Sequence, residues 1–438
     1  MTGSWGDRTK RMWASLSKQS PSALAGPDTH SVSAIAQMLR VIGIALLEVQ
    51  VPSGVVETRL KHIAERYTTE SVSIVALPTV LMVQVGSDGH QVAASSRGTT
   101  QLDRAGKVDA ITRLAAAGAI SPDDAIRDIN AARAARPRFG SITILIGYVL
   151  TTLGFGIVIN PAWTALWAYV FLGAVVGAIV VAGGRIPTLA AIVPSLSAAV
   201  VTMLATWFVA EAAGDDLLRI IAPALVATLP GLALTIGAME LAGGAIVAGS
   251  SRLVYGIVQL MLLAFGVVIG LAIAGEAAHY ETAADRMGPL SFYVAIVVIG
   301  VGLYLYLSAP RGSLAWITAS VAVALIGQKA GGLVVAPAYS GAVGALLVVP
   351  FVVVAAKMKT APPMFVMLLA AFWSLVPGAL GFESISAVAT QRSLDANTLG
   401  STFAAIFSIA LGTLVAWTLY DTVHSRAKID GLKPGGSG

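Results

Sequence analysis

Long apolar runs separated by short polar segments dominate the chain from residue 139 onward. A transmembrane helix needs about 20 consecutive, mainly apolar residues, and ten runs approach that length. They lie near residues 141–159, 165–182, 188–210, 219–240, 253–274, 290–308, 313–328, 333–356, 364–382 and 399–420. We therefore predict ten transmembrane helices, called spans one to ten below.

The first 138 residues follow a different pattern. Apolar positions spaced by three or four residues predict two amphipathic helices within residues 32–66. The segment 71–96 is rich in Val and Ile, and its "GSDGH" predicts a turn between two strands. Two more helices follow, one over roughly Arg104–Ala117 and one after the N-cap Ser121. This order predicts a small α+β domain ahead of the membrane region.

Four regions are therefore expected. A disordered leader covers residues 1–31, and the cytoplasmic α+β domain covers residues 32–138. The transmembrane transporter domain covers residues 139–423, and a flexible cytoplasmic tail covers residues 424–438.

Composition agrees with a membrane protein, because 56% of the residues are hydrophobic and only 12% are charged. The net charge of +5 comes from basic residues scattered in short loops, which argues against nucleic-acid binding. The chain has no cysteine, so thiolate metal sites are excluded, and we expect neither a metal nor a cofactor. No P-loop or Rossmann glycine motif is present, which argues against an ATP-driven pump.

The basic loop residues predict the orientation in the membrane. If the α+β domain is cytoplasmic, eleven basic residues lie in or beside that compartment and four lie on the opposite side. The eleven are Arg133, Arg136, Arg138, Arg185, Arg252, Arg311, Lys357, Lys359, Arg426, Lys428 and Lys433, and the four are Arg219, Arg286, Lys329 and Arg392. This asymmetry follows the positive-inside rule and predicts that both termini are cytoplasmic.

Proline and glycine recur at corresponding places in the two halves of the membrane region. Pro230-Gly231 in span four and Pro377-Gly378 in span nine are 147 positions apart. Pro194 in span three and Pro337 in span eight are 143 positions apart. These similar offsets predict two five-helix repeats.

Because five is an odd number, the second repeat must cross the membrane in the opposite sense to the first. The repeats cover about 139–275 and 288–423. Inverted repeats with interrupted helices are typical of secondary transporters, whose broken backbone near the midplane binds substrate. Such breaks are tolerated only where they face protein or water. The two Pro-Gly pairs therefore predict a polar, substrate-accessible centre, although packing kinks are the alternative.

Three segments resemble the bacterial threonine/serine exporter family. They are "LPGLALTIGAMELAGGAIVAGSSRL" at 229–253, "LVPGALGFESI" at 375–385, and the front end with "GIALLEVQVPSGVVETRLKHIAERY" and "GAISPDDAIRDINAARAARPRFG". The resemblance covers about residues 32–423. It implies ten spans, a cytoplasmic N-terminal domain and export of threonine and serine, driven by the proton motive force.

One departure from the family pattern concerns the front end. Where family members often show a turn of small Ser and Thr residues, this chain has Val51-Pro52-Ser53-Gly54. The departure weakens a functional assignment for that turn.

Ionisable residues at the ends of spans are candidates for coupling or gating, because charges in membranes are costly and usually functional. Glu240 ends span four and Arg252 begins span five, so the two are candidates for a gate pair or proton site. An interfacial salt bridge is the equal alternative. Glu383 follows the second Pro-Gly pair on the opposite side and is the best candidate for a symmetry-related carboxylate, with a position in a solvated loop as the alternative.

Polar residues near the breaks are candidates for substrate binding. Amides and hydroxyls can bind the ammonium and carboxylate of an amino acid, or they can bridge helices. Together with the two Pro-Gly pairs, the candidates are Pro230, Gly231, Pro377, Gly378, Thr228, Ser195, Ser340, Tyr339, Gln259 and Gln328.

The sequence thus predicts a secondary active, proton-coupled exporter of threonine and serine in the bacterial inner membrane, with homo-oligomerisation left open. The alternative is a passive amino-acid channel, or a membrane receptor whose cytoplasmic domain senses a ligand. His62 with Glu57, Arg59 and Glu65 could form a catalytic cluster, but a solvated helix face explains them better. We therefore expect no enzyme activity.

Overall fold

A computed structural model describes most of the chain. The described residues are 24, 29–87, 89–94, 101–159, 161–184, 186, 191–209, 217–275, 286–375 and 404–420. Most of the predicted leader and the entire predicted tail lie outside these ranges.

The N-terminal domain, residues 32–134, contains four helices and three strands among the described residues. They are α1 Val32–Glu48, α2 Ser53–Tyr67, β1 Val72–Ala76, β2 Val80–Val85, β3 Gly89–Ala94, α3 Leu102–Ala116 and α4 Pro122–Ala134. The α+β character predicted for this region is present. The predicted N-cap is also found, because the Ser121 side chain accepts a hydrogen bond from the backbone amide of Asp124.

The three strands form an antiparallel sheet in the order β1-β2-β3. Val72 pairs with Val85 at one end of the first hairpin, and Val85 also pairs with Gly89 beside the second turn. The sequence pattern predicted two strands, but the first predicted strand is divided by a turn at residues 77–79. Pro78 lies in this turn, where its missing N–H and fixed φ suit a chain reversal.

Helix α1 is the core element of this domain and is buried along almost its whole length. It packs on the sheet so closely that a Cβ on Gly43 would collide with the side chain of Leu81. Its last residue, Glu48, receives two hydrogen bonds from Arg133 of α4, at 2.6 and 2.8 Å. These bonds raise the pKa of Arg133 and fix the C-terminal ends of α1 and α4 together.

Eleven apolar α-helices follow among the described residues and form the helical bundle, residues 141–420. They are α5 Ser141–Ile159, α6 Leu166–Gly183, α7 Val193–Leu204, α8 Leu217–Leu225, α9 Gly231–Ala242, α10 Ile246–Ala274, α11 Ser291–Tyr306, α12 Leu314–Gly331, α13 Ser340–Ala355, α14 Met364–Leu375 and α15 Ala404–Tyr420.

Five elements are long and apolar enough to cross a membrane alone, and the pair Leu217–Thr228 and Gly231–Ala242 makes a sixth, bent by 66°. Four further apolar helices have only 10–17 residues within the described chain. Each of the ten predicted spans overlaps with one of these elements, and the chain is a multi-pass membrane protein. The predicted count of ten crossings and the inverted repeat are not confirmed by these lengths.

The N-terminal domain packs against one end of the bundle, called the domain end below. The amides of Leu102 and Asp103, at the start of α3, donate to the carbonyls of Leu307 and Ser308 at 2.8 and 3.1 Å. Nearby, Arg138 donates to the Tyr304 hydroxyl and to the Ala309 carbonyl, both at 2.8 Å. The free amides at the start of one helix thus satisfy carbonyls just beyond the end of another.

Candidate functional site

The break in the bent span begins in α8. Pro223 lies inside this helix, and the chain then tightens into a 3-10 turn over Val226–Thr228. Leu229 is extended, Pro230 caps the next helix, and α9 starts at Gly231. Because proline lacks an N–H and disfavours a helical residue before it, Pro230 explains why the helix cannot continue. The break predicted at this Pro-Gly pair is therefore present.

Hydrogen bonds from side chains satisfy the carbonyls left by the break. The buried Tyr148 hydroxyl of α5 donates to the Ala224 carbonyl at 2.9 Å. The Thr228 hydroxyl donates to the Leu225 carbonyl at 2.7 Å. Buried polar backbone is costly when unpaired, so these bonds hold the broken conformation in place.

A cavity of about 200 Å³ lies beside the break and is called the inner cavity. Its walls come from the break, from α10, from α14 and from the N-terminal domain. The lining residues are Gln50, Thr228, Leu229, Pro230, Leu232, Ala233, Arg252, Tyr255, Gln259 and Trp373. Four predicted site residues therefore meet here: Thr228, Pro230, Arg252 and Gln259.

A second cavity, called the wide cavity, adjoins the first and has a volume of about 920 Å³. Gln259 and Trp373 line both cavities. The wide cavity extends to Arg136 and Gln101, where the N-terminal domain joins the bundle. The Tyr306 ring on its wall packs 5.8 Å from the Trp373 ring. The two cavities thus form adjoining spaces between the domain end and the broken span.

Glu240 and Arg252 form a buried ion pair behind the inner cavity. Arg252 Nε donates to Glu240 Oε2 at 2.9 Å. The Arg252 side chain is only 4% exposed and the Glu240 side chain only 3%. Glu240 Oε1 accepts a hydrogen bond of 2.7 Å from the backbone amide of Ser53. Arg252 Nη1 also donates to Gln50 Oε1 at 3.2 Å. The predicted pair is therefore formed, and it connects the bundle to the N-terminal domain.

The turn at residues 51–54 lies at this junction. The residues of this turn depart from the family pattern, which weakened the functional assignment predicted for it. In the structure, however, the Ser53 amide contacts Glu240 directly. That contact is made by the backbone N–H, so it does not depend on the hydroxyl of the buried Ser53 side chain. This explains how the turn can differ in sequence and still contact the pair.

The remaining predicted candidates lie away from the inner cavity. Ser195 is in the first turn of α7, close to Gly266 of α10. Ser340 starts α13 and donates to the Pro337 carbonyl at 2.7 Å, while its neighbour Tyr339 is 52% exposed. Gln328 lies near the end of α12. The structure does not bring these four residues to the break.

Three predicted site residues, Pro377, Gly378 and Glu383, lie outside the described residues. The only proposed break that the structure describes is therefore the one at Pro230.

Sequence reasoning missed six residues of the inner cavity: Gln50, Leu229, Leu232, Ala233, Tyr255 and Trp373. Tyr255 lies three positions after Arg252, and a helical projection would place both on one face. Gln50 and Trp373 are 202 and 121 positions from Arg252, and no local pattern connects them to it.

Comparison with known proteins identifies the family. The model of a family described as "Putative threonine/serine exporter" matches residues 37–274, which is more than half of the chain. The match covers most of the N-terminal domain and the bundle through the end of α10, including the broken span and the Glu240–Arg252 pair. Searches of curated proteins and of solved structures returned no match. The chain belongs to the threonine/serine exporter family.

Proposed function

We propose that this protein is a proton-coupled secondary transporter that exports threonine and serine across the bacterial cytoplasmic membrane by alternating access. The observation that carries the proposal is the inner cavity beside the broken span, in a chain of an exporter family. Its volume of about 200 Å³ is below the roughly 300–1,000 Å³ typical of pockets for drug-sized ligands. The cavity therefore favours a solute as small as an amino acid.

The chemistry of the cavity fits a zwitterion with a hydroxyl group. The first amides of α9 have no partner inside their own helix, and Leu232 and Ala233 of this turn line the cavity. They and the positive end of the helix dipole suit the substrate carboxylate. The Gln259 amide and the Thr228 hydroxyl provide hydrogen bonds for the side-chain hydroxyl. The Trp373 ring provides a face for the ammonium group.

Packing inside the bundle supports an internal repeat. A Cβ on Gly266 of α10 would collide with the Ser195 carbonyl of α7, and a Cβ on Gly412 of α15 would collide with the Ala342 carbonyl of α13. Ser195 and Ala342 are 147 positions apart, and Gly266 and Gly412 are 146 apart. A glycine–carbonyl contact between spans three and five thus recurs between spans eight and ten, at nearly the offset that separates the two Pro-Gly pairs.

The contact between the two halves supports inversion. Gly147 of α5 meets Tyr306 of α11, while Gly154 meets Ile299. Residue numbers rise along α5 in the direction in which they fall along α11, so these two helices run antiparallel. Antiparallel packing of spans one and six is what reversed five-helix repeats require. The family match ends at residue 274, one residue before the proposed end of the first repeat.

Glu240 is proposed as the proton-coupling or gating residue, with Arg252 as its partner. It is the only carboxylate among the described residues of the bundle. Its position next to the inner cavity and beneath the N-terminal domain would let a change in its pairing alter access from that side. We place the domain end, and with it both termini, in the cytoplasm.

Inverted membrane vesicles test the function. Vesicles containing the protein should accumulate labelled threonine when a pH gradient, acidic inside, is imposed, because export is then directed into the lumen. An uncoupler should abolish this uphill accumulation. Vesicles from cells without the protein are the control.

A passive channel gives a different result. Downhill flux that survives the uncoupler, without accumulation above the external concentration, would replace the transporter with the channel. No flux of threonine or serine in either direction would contradict both.

A further inference from the structure

The N-terminal domain contributes a side chain to the inner cavity. Gln50, in the turn between α1 and α2, lines this cavity together with Thr228 and Pro230 of the broken span. Its backbone has a φ of 67°, in the left-handed region that residues other than glycine rarely adopt. Strained backbone persists only where the surrounding structure holds it. We therefore looked for the contacts that hold Gln50 in this conformation and for a role of its side chain in the cavity.

Two contacts with the buried ion pair hold this turn against the bundle. Arg252 Nη1 donates to Gln50 Oε1 at 3.2 Å, and the Ser53 amide donates to Glu240 Oε1 at 2.7 Å. Arg252 and Glu240 also bind each other at 2.9 Å. The turn and the junction of α9 with α10 are thus joined by three consecutive hydrogen bonds.

The contact with Arg252 fixes which way the Gln50 amide faces. A guanidinium group only donates hydrogen bonds, so the atom of Gln50 that faces it must be the acceptor Oε1. The Nε2 group is then the remaining end of the amide, and it carries two donors. Since the side chain lines the inner cavity, this donor is available to a group in the cavity that accepts hydrogen bonds.

We propose that Gln50 is a substrate-binding residue and that the N-terminal domain closes the inner cavity. The inference rests on the proposed function, because the ligand is the carboxylate of a small hydroxy amino acid. Gln50 Nε2 donates to this carboxylate, while the first turn of α9 binds it from the bundle. The binding site is therefore complete only when the domain is docked, and release of the turn from Glu240 and Arg252 opens the cavity toward the domain.

A single cysteine provides the test, since the chain has none. Ala233→Cys adds only one sulfur atom to a residue of the cavity wall, where reaction with a maleimide can report occupancy. We expect threonine to slow the labelling of this variant. Adding Gln50→Glu should raise the half-protecting concentration of threonine about tenfold or more, as expected from loss of a hydrogen bond to a charged group.

The Gln50→Glu variant tests whether Gln50 contacts the substrate or only holds the turn. The new carboxylate still accepts from Arg252, but it cannot donate to the substrate carboxylate and it repels it, so unchanged protection would exclude a contact between residue 50 and the substrate. Gln50→Ala should also weaken protection. Gln84→Ala is the matched control, because Gln84 is an exposed glutamine of the same domain that donates to the Gly86 carbonyl.

Each outcome decides between the proposals. If Gln50→Glu and Gln84→Ala variants are protected at the same threonine concentration, the role of Gln50 is wrong. If threonine protects the cysteine but the wild-type protein transports none in vesicles, the site stands and the exporter proposal fails. If transport occurs without protection in any variant, the exporter stands and the inner cavity is not its binding site.

Discussion

Glu240 accepts from two donors at once, the Arg252 guanidinium and the Ser53 amide. A buried ion pair of this kind seldom adds much net stability, because desolvation of both ions offsets their attraction. The extra bond to Ser53 gives the pair a positioning role, since it determines where the N-terminal domain docks. Sequence spacing could pair Glu240 with Arg252, which lie 12 positions apart. It could not add Ser53, which lies 187 positions away.

Glu240→Gln should lower both stability and transport. Glutamine offers one acceptor where two donors converge, and Arg252 becomes a buried charge without a counter-ion. We expect a loss of about 3–5 kcal/mol in the free energy of unfolding, as when one partner of a buried pair is removed. Unfolding in detergent and vesicle uptake measure the two effects.

Glu65→Gln is the matched control for that variant, because Glu65 is a 72% exposed glutamate of the N-terminal domain. Adding Arg252→Gln to Glu240→Gln should recover part of the lost stability without recovering transport. Full activity of Glu240→Gln across a range of pH values would contradict the coupling role.

Tyr148→Phe tests the support for the broken span. The change removes the hydroxyl that donates to the Ala224 carbonyl and leaves this carbonyl buried without that donor. We expect a destabilisation of about 1–3 kcal/mol and slower transport. Tyr293→Phe, at a 51% exposed position, should change neither. An unchanged unfolding midpoint for Tyr148→Phe would show that the break does not depend on this bond.

Among elements, apolar runs predicted helices well because a lipid-facing helix must be hydrophobic along most of its length. The break at Pro230 was also predictable, since proline and glycine act through local backbone chemistry. The sequence was less informative about which helices contact each other. Ser195 was predicted as a substrate hydroxyl, but its carbonyl faces Gly266, and it takes part in the packing of α7 on α10.

Gly266→Ala and Gly412→Ala test the internal repeat. In each case the added methyl group meets a backbone carbonyl, of Ser195 or of Ala342, which cannot move as a flexible side chain can. Overpacking should cost each variant about 1–3 kcal/mol, and the two losses in unfolding free energy should be similar. Gly288→Ala is the control, because a Cβ there meets nothing within 4 Å. Sensitivity at only one position would argue against equivalent packing in the halves.

For the whole molecule, the docking of the N-terminal domain was beyond sequence reasoning. The α+β character and its helices followed from periodicity, but the contacts that place Gln50 at the inner cavity join segments about 200 positions apart. Periodic patterns report which face of an element is buried and not which partner buries it. The wide cavity was missed for the same reason, since its walls come from both the domain and the bundle.

The proposed orientation predicts which sites an impermeant maleimide reaches in intact cells. Glu65→Cys, on the N-terminal domain, should react only after the cells are permeabilised. Gly288→Cys, in the exposed segment before α11, should react from outside, because it lies at the end of the bundle opposite the domain. Reaction of both cysteines in intact cells, or the reverse pattern, would contradict the topology.

The contact between α5 and α11 limits how the two halves can move. Gly147, Gly154 and Gly302 bring these helices so close that an added Cβ at any of them would collide with the other helix. If α5 slid along α11 by even one residue, larger side chains would enter this contact. A small rotation of one helix about the contact keeps the glycines opposite each other. For the proposed alternating access, we therefore expect this contact to act as a pivot, with a rocking motion whose largest displacements fall far from α5 and α11.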